Sequence, residues 1–95
     1  MIKVKARNGF EIEGRENIGN DWRVVKALSN LKRAEDDLDK IGAYADLIIE
    51  LIGRDEEARL CNYLADKFGY VPTDEVEAVA TDIFEALKEA QETKN

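Results

Sequence analysis

Three short runs of carboxylates are the groups in this sequence whose type and spacing could support acid–base or metal chemistry. They are Glu35-Asp36-Asp37-Asp39, Asp55-Glu56-Glu57 and Asp74-Glu75-Glu77. A catalytic carboxylate pair needs a cleft that shifts the two pKa values apart, and a calcium loop needs a spacing and a glycine that the first run lacks. Each run comes where a predicted helix begins, and acidic residues there cap amide groups and favour the helix dipole. We therefore interpret the runs as helix starts.

The residue types that are missing exclude most other catalytic machinery. The chain has no histidine, which removes Ser-His-Asp triads, Cys-His pairs and histidine-ligated metals. Its one cysteine, Cys61, can form neither an intramolecular disulfide nor a cysteine zinc cluster, and it lies in an apolar stripe as a small buried hydrophobic group. No glycine-rich phosphate loop or nucleophile elbow occurs. We expect no enzymatic activity, no cofactor and no metal.

Composition and charge predict one small acidic domain spanning residues 1–95. Hydrophobic residues make up 44% and charged residues 37% of the chain, which is typical of a globular domain. The 14 basic and 21 acidic residues give a net charge of −7, which argues against nucleic-acid binding. No apolar run approaches the ~18 residues of a membrane span, and no signal segment opens the sequence. We expect that the protein makes no membrane contact and lies in a reducing cytoplasm.

The first 14 or so residues predict a β-hairpin, because apolar and charged residues alternate in two short runs. A two-residue turn at Asn8 and Gly9 would place Arg7 opposite Phe10 and mix charged with apolar groups on one face. A three-residue loop with Gly9 in the left-handed conformation avoids this conflict. The predicted pairs are then Ala6–Phe10, Val4–Ile12, Lys5–Glu11 and Lys3–Glu13.

Four helices are predicted after the hairpin, which makes the fold class mainly α. Their expected bounds are residues 21–33, 38–52, 55–68 and 74–91. Capping and stop signals are provided by Asn20 or Asp21, Gly53, Gly69 and Thr73. Residues 14–19 form a link, and the polar residues 91–95 are expected to fray.

The second helix has more apolar residues than one buried stripe requires. The stripe consists of Ile41, Tyr44, Ala45, Ile48, Leu51 and Ile52. Leu47 and Ile49 flank it and widen the apolar arc to about 200°. Either this helix is central and covered on most sides, or one edge binds another protein. Leu47 and Ile49 are therefore our candidate partner-binding residues, with the core as the alternative.

The aromatic residues offer a second set of expectations. Trp22, on the first helix, is expected to be a core residue whose indole covers the apolar face of the hairpin. Tyr44 and Tyr70 are expected either to be half-buried with a solvated hydroxyl or to lie at an interface.

Four short motifs, in this order, resemble those of a known family. They are Gly-Phe-Glu-Ile-Glu at residues 9–13, Asp-Trp-Arg-Val-Val-Lys-Ala-Leu at 21–28, Leu-Ile-Gly-Arg-Asp-Glu at 51–56, and Gly-Tyr-Val-Pro at 69–72 followed by Ile-Phe-Glu at 83–85. Over nearly the whole chain they resemble the small tail assembly chaperones of long-tailed, siphovirus-type bacteriophages and prophages of Gram-positive bacteria. The chain departs from that pattern at Arg23, where the family usually has an acidic residue, and in the highly charged residues 32–39.

The resemblance implies a non-enzymatic morphogenesis factor. Such chaperones bind and solubilise the long, helical tape measure protein until tail tube protein polymerises around it. Many also have a longer, frameshifted form that recruits the tail tube protein. The resemblance further implies self-association, a location in the cytoplasm of the bacterial host and absence from the mature virion. Leu47 and Ile49 would contribute to the surface for the tape measure protein.

A different class of function is the alternative. An acidic helical regulatory or inhibitor protein that mimics DNA could bind a host or phage protein through its charge. Such mimics concentrate acidic residues on one face, whereas here lysine and arginine interleave with acidic residues in most segments.

Overall fold

The computed structural model describes residues 2–14 and 17–94, and it confirms a mainly helical fold with an N-terminal hairpin. The elements in chain order are β1 (Ile2–Lys5), β2 (Glu11–Gly14), a short 3-10 turn (Ile18–Asn20), α1 (Trp22–Arg33), α2 (Asp37–Ile52), α3 (Arg54–Phe68) and α4 (Thr73–Lys94). Residues 15 and 16 of the predicted link, and Asn95 of the predicted tail, lie outside the described residues.

The hairpin has the predicted register and the predicted three-residue loop. β1 and β2 are antiparallel, and their paired residues are Lys3 with Glu13, Val4 with Ile12 and Lys5 with Glu11. The Ala6 amide donates to the Phe10 carbonyl at 2.8 Å, which closes the ladder beside the loop. Gly9 has a φ of 95°, so the loop uses the left-handed conformation that a residue without a Cβ adopts at little cost.

The helices begin and end close to the predicted residues. The Asp21 side chain caps α1, and the Asp36 side chain caps α2 by accepting from the Asp39 amide at 2.8 Å. Gly53 and Gly69 follow the last residues of α2 and α3, as expected.

The start and the end of α4 both differ from the prediction. The Pro72 carbonyl accepts from the Val76 amide, so Pro72 has the capping position that we expected for Thr73, which is instead the first helical residue. The residue before the first turn supplies a carbonyl acceptor whatever its side chain is, and this explains the shift by one residue. The backbone of α4 continues to Lys94, three residues beyond the predicted end.

The core lies between the inner face of the hairpin and the four helices. Its buried side chains include Val4, Phe10, Ile12, Ile18, Val24, Leu47, Ile48, Leu51, Leu60, Leu64, Val79, Ile83 and Leu87. α1 packs along α2, and α4 packs against both α2 and β1. Ile18, in the 3-10 turn, is fully buried although it lies in the segment predicted as a link. The turn therefore anchors the connection between hairpin and helices.

Candidate partner-binding surface

The three carboxylate runs lie at helix starts, as the sequence predicts. Asp36 caps α2, Asp55 and its two acidic neighbours occupy the first turn of α3, and Asp74 lies in the first turn of α4. Asp74 also accepts from the Glu75 amide at 3.1 Å. Among residues 2–14 and 17–94, no three His, Cys, Asp or Glu side chains converge closely enough to hold a metal ion. These acidic residues stabilise helix ends.

Cys61 is partly buried in α3, where it contacts a carboxylate. Its Sγ lies 3.4 Å from Glu57 Oε2, one helical turn earlier. Burial, together with the hydrogen bond to Glu57 and the negative charge of that residue, raises the pKa of the Cys61 thiol. A thiol with a raised pKa is protonated at neutral pH and is a poor nucleophile.

The best-formed ion pair in the described residues joins the hairpin loop to α4. Arg7 Nη2 donates to Asp82 Oδ1 at 2.7 Å, and Arg7 Nε donates to Asp82 Oδ2 at 3.0 Å. The backbone amide of Arg7 also donates to Oδ2, at 2.9 Å. These hydrogen bonds from Arg7 hold the pKa of Asp82 below its usual range. Among the described residues, the hydrogen-bond donors to this carboxylate all come from Arg7, so the contact fixes the loop on α4.

Leu47 is a core residue, which corrects its assignment to a partner surface. Its side chain is 2% exposed and belongs to the same cluster as Leu51 and Leu60. The reason is geometric: α1 and α4 both pack on α2, and the Leu47 side of the helix is covered by the rest of the chain. A partner cannot reach Leu47 unless α2 separates from the core.

Ile49 lies on a different side of α2, together with further apolar residues that the core does not cover. We name this surface the α2 outer face; it consists of Leu38, Ile41, Ala45, Ile49 and Ile52. These residues fall within an arc of about 80° on the helix. Leu38 is 80% exposed and Ile41 is 39% exposed, whereas Ile49 and Ile52 are half-buried at the edge of the core. The α2 outer face therefore has apolar residues that the core does not cover. Leu38 and Ile41 are more exposed than Ile49.

Trp22 points away from the core, which contradicts our expectation for it. The side chain is 76% exposed, and the hairpin face that it was expected to cover packs instead on α4 and α2. The inner face of α1 is formed by Val24 and Ala27, roughly opposite Trp22 on the helix. Trp22 is the first residue of α1 and therefore lies at the end of that helix.

The exposed side of α1 is basic. Residues 22–33 contain four basic residues and no acidic residue, although the whole chain has a net charge of −7. We name Arg23, Lys26, Lys32 and Arg33 the α1 basic residues; all four are exposed. Among them, Arg33 Nη2 donates to Ser29 Oγ within the same helix at 2.7 Å.

Two open depressions lie along the seam between α1 and α2, one near each end. The first is lined by Arg33 from α1 and by Leu38 and Gly42 from α2. The second is lined by Arg23 from α1 and by Ile49 from α2, and also by Arg54 and the acidic residues Glu13, Asp21 and Glu50. At both ends, a basic side chain of α1 therefore borders the same depression as a residue of the α2 outer face.

Another exposed apolar group lies at the connection between α3 and α4. It consists of Phe68, Tyr70 and Val71, and Tyr70 is the most exposed of the three. Tyr70 is thus not half-buried, which leaves the interface alternative that the sequence allowed. Tyr44, in contrast, is half-buried against the core.

Comparisons with known proteins identify no relative of this chain: no family model, curated protein or solved structure matches it. Among the described residues, no helix is long and apolar enough to span a membrane. The α2 outer face and the neighbouring α1 basic residues are the exposed groups from which we infer a function.

Proposed function

We propose that this chain is a non-enzymatic tail assembly chaperone of a long-tailed bacteriophage or prophage, which binds the tape measure protein and keeps it soluble during tail morphogenesis. The α2 outer face is the observation that supports this proposal most directly. A tape measure protein is long and helical, and an amphipathic helix buries its apolar stripe on a face of this kind. The four motifs in the family's order support the same function, and the acidic charge of the chain favours a soluble complex.

The size of the surface fits a chaperone that acts in many copies. From Leu38 to Ile52 the α2 outer face extends about 21 Å, or about four helical turns. One such contact is small, and several copies bound along one filament would gain avidity. We extend the proposal to self-association, to a longer form that recruits tail tube protein, and to action in the host cytoplasm with absence from the mature virion.

The alternative, an acidic regulator that mimics DNA, is less well supported. A mimic presents a continuous acidic surface, and α1 interrupts any such surface with four basic residues and no acidic one. An exposed apolar face on α2 also has no role in a mimic that acts through charge. Failure to bind any tail protein, together with tight binding to a nuclease or DNA-binding protein, would favour this alternative.

Gene order and co-expression test the proposal together. We expect the gene to be followed by an overlapping or frameshifted reading frame and then by a very long gene for a helical protein. Co-expression with the product of that long gene should keep the helical protein soluble and should co-purify the two chains. If the neighbourhood has no long helical gene, or if the long protein stays insoluble and unbound, the proposal is wrong.

Paired variants decide whether the α2 outer face forms the contact. Leu38→Glu with Ile41→Glu should abolish co-purification and leave the helical circular dichroism unchanged, because both side chains are exposed. Phe68→Glu is the matched control, since Phe68 is 40% exposed and Ile41 is 39% exposed, but Phe68 lies at the end of α3. Loss of binding in the Phe68 variant alone would place the contact at the α3–α4 connection instead.

A further inference from the structure

The distribution of charge suggests that the α2 outer face does not act alone. Four of the chain's 14 basic residues lie in residues 22–33, and all 21 acidic residues lie elsewhere. Such a separation of charge steers association and fixes the orientation of a partner, because oppositely charged surfaces of the two proteins attract each other. A partner helix whose flank is neutral or basic would gain no electrostatic attraction from the α1 basic residues.

The basic and apolar groups are brought together at the seam. Arg33 borders the same depression as Leu38, and Arg23 borders the same depression as Ile49. Asp39 and Asp46 of α2 also line the first depression, and Glu13, Asp21 and Glu50 also line the second. An acidic group on a bound partner is therefore favoured beside the exposed α1 basic residues and disfavoured directly over these five carboxylates.

Gly42 adds a steric feature to the same place. It lies inside α2 and lines the depression with Arg33 and Leu38. A Cβ built on Gly42 meets no atom within 4 Å, so the packing of this chain does not require a glycine there. Glycine inside a helix is destabilising relative to alanine. What the missing side chain provides is an open path for another backbone to approach α2.

We infer that the α1–α2 seam binds one amphipathic helix whose apolar stripe packs on the α2 outer face, whose backbone passes close to Gly42, and whose flank toward α1 is acidic. This inference rests on the proposed function and specifies the chemistry of the segment of the tape measure protein that is bound. A second copy of the chain and a nucleic acid are the competing occupants of the same seam.

Charge reversal on α1 tests the acidic flank. The probe is the helical protein encoded beside this gene, produced as overlapping fragments and titrated against the purified chain. Arg23→Glu with Arg33→Glu should weaken binding of the best fragment by about tenfold and should abolish the weakening that added salt causes in the unmodified chain. Lys67→Glu with Lys88→Glu is the control, because it makes the same change in charge at exposed positions of α3 and α4, away from the seam.

Three further sets of variants keep the result interpretable. Arg23→Gln with Arg33→Gln should cause a smaller loss of binding, and it avoids placing new negative charge beside Asp46 if the reversal weakens the fold. Replacing acidic residues of the bound fragment by lysine should restore its binding to the charge-reversed chain. Gly42→Leu should raise the melting temperature and at the same time weaken fragment binding, which loss of folding cannot explain.

The outcomes separate this inference from the function on which it rests. If the fragments bind the unmodified, charge-reversed and Gly42→Leu chains equally, the seam inference is wrong and the chaperone function stands. If no fragment binds the unmodified chain, the proposed function is wrong as well. If the unmodified chain instead self-associates or binds a duplex oligonucleotide, and Gly42→Leu or the charge reversal prevents this, the seam has one of the competing occupants.

Discussion

The hairpin end of the molecule and the α1–α2 pair differ in how many of their surface groups are held by contacts within the chain. At the hairpin end, Tyr63 Oη and Lys67 Nζ both donate to the Asn8 carbonyl, at 2.8 and 2.7 Å. On the α1–α2 pair, Trp22 at the start of α1 is 76% exposed, and Leu38 near the start of α2 is 80% exposed. The first region is held by specific contacts within the chain, whereas the second leaves large apolar groups in water. The comparison shows a fixed framework in one region and an exposed apolar surface in the other.

Further contacts from α3 explain why the hairpin can be so short. Arg59 Nη2 donates to the Glu11 carbonyl at 2.6 Å, and the guanidinium carbon lies 4.5 Å from the centre of the Phe10 ring. Phe10 also packs against the ring of Tyr63, with centroids 5.5 Å apart. A two-stranded hairpin is marginal by itself in water. Here the surrounding helices provide the stability that the two strands lack.

The largest expected effect contrasts two leucines of α2. Leu47→Ala should lower the free energy of unfolding by about 2–5 kcal/mol because it leaves a cavity in the core. Leu38→Ala should change it by less than about 0.5 kcal/mol because that side chain is exposed. Urea unfolding followed by circular dichroism measures both values. A large loss for Leu38→Ala would show that this residue packs within the chain, and the α2 outer face would then not be free.

Two glycines give the next contrast, with effects of opposite sign. Gly9→Ala should destabilise the chain by about 1–2 kcal/mol, because φ is positive there. A Cβ at this position would also lie 2.8 Å from Tyr63 Oη. Gly42→Ala should stabilise by about 1 kcal/mol, since the site is helical and open. Thermal unfolding of the two variants under one buffer tests the pair, and equal signs would contradict the difference between the two regions.

The ion pair between Arg7 and Asp82 predicts a smaller, pH-dependent effect. The pKa of Asp82 is lowered in the folded chain by the hydrogen bonds from Arg7. The carboxylate therefore contributes stability above its unfolded pKa of about 3.9, and this contribution is lost as the pH falls through the lower, folded value. Asp82→Asn should flatten the fall in stability below about pH 4, as followed by urea unfolding at several pH values.

Arg7→Gln is the companion variant for this measurement. It removes the guanidinium and leaves the Asp82 carboxylate with the backbone amide of residue 7 as its donor among the described residues. The dependence on acid pH should weaken in the same direction as in Asp82→Asn. An unchanged acid dependence in both variants would show that the ion pair does not couple protonation to the stability of the hairpin end.

Local signals explain why much of the fold could be predicted from the sequence. The hairpin register follows from alternation and from the charge conflict that a shorter loop would create. The helix bounds follow from caps such as Asp21 and from the glycines at 53 and 69. Each of these signals acts within a few residues, so it can be recognised without knowing how the elements pack.

The features that could not be predicted depend on packing between distant residues. Arg7 and Asp82 are 75 positions apart, and nothing local links them. Leu47 and Ile49 are both apolar and lie two residues apart, and only the positions of α1 and α4 place one in the core and the other at its edge. The residue type of Trp22 favours the core, but Val24 and Ala27 fill that side of α1.

The smallest expected effect concerns Trp22, the only tryptophan of the chain. Because its indole is exposed, Trp22→Ala should change the free energy of unfolding by less than about 0.5 kcal/mol. For the same reason, the emission maximum of the folded chain should lie close to that of the unfolded chain, and iodide should quench both. A blue-shifted emission that moves to the red on dilution would instead show that Trp22 is covered by a second copy. A blue shift that appears only when the partner fragment is added would place the indole at the edge of the binding surface. The emission of Trp22 would then report binding directly.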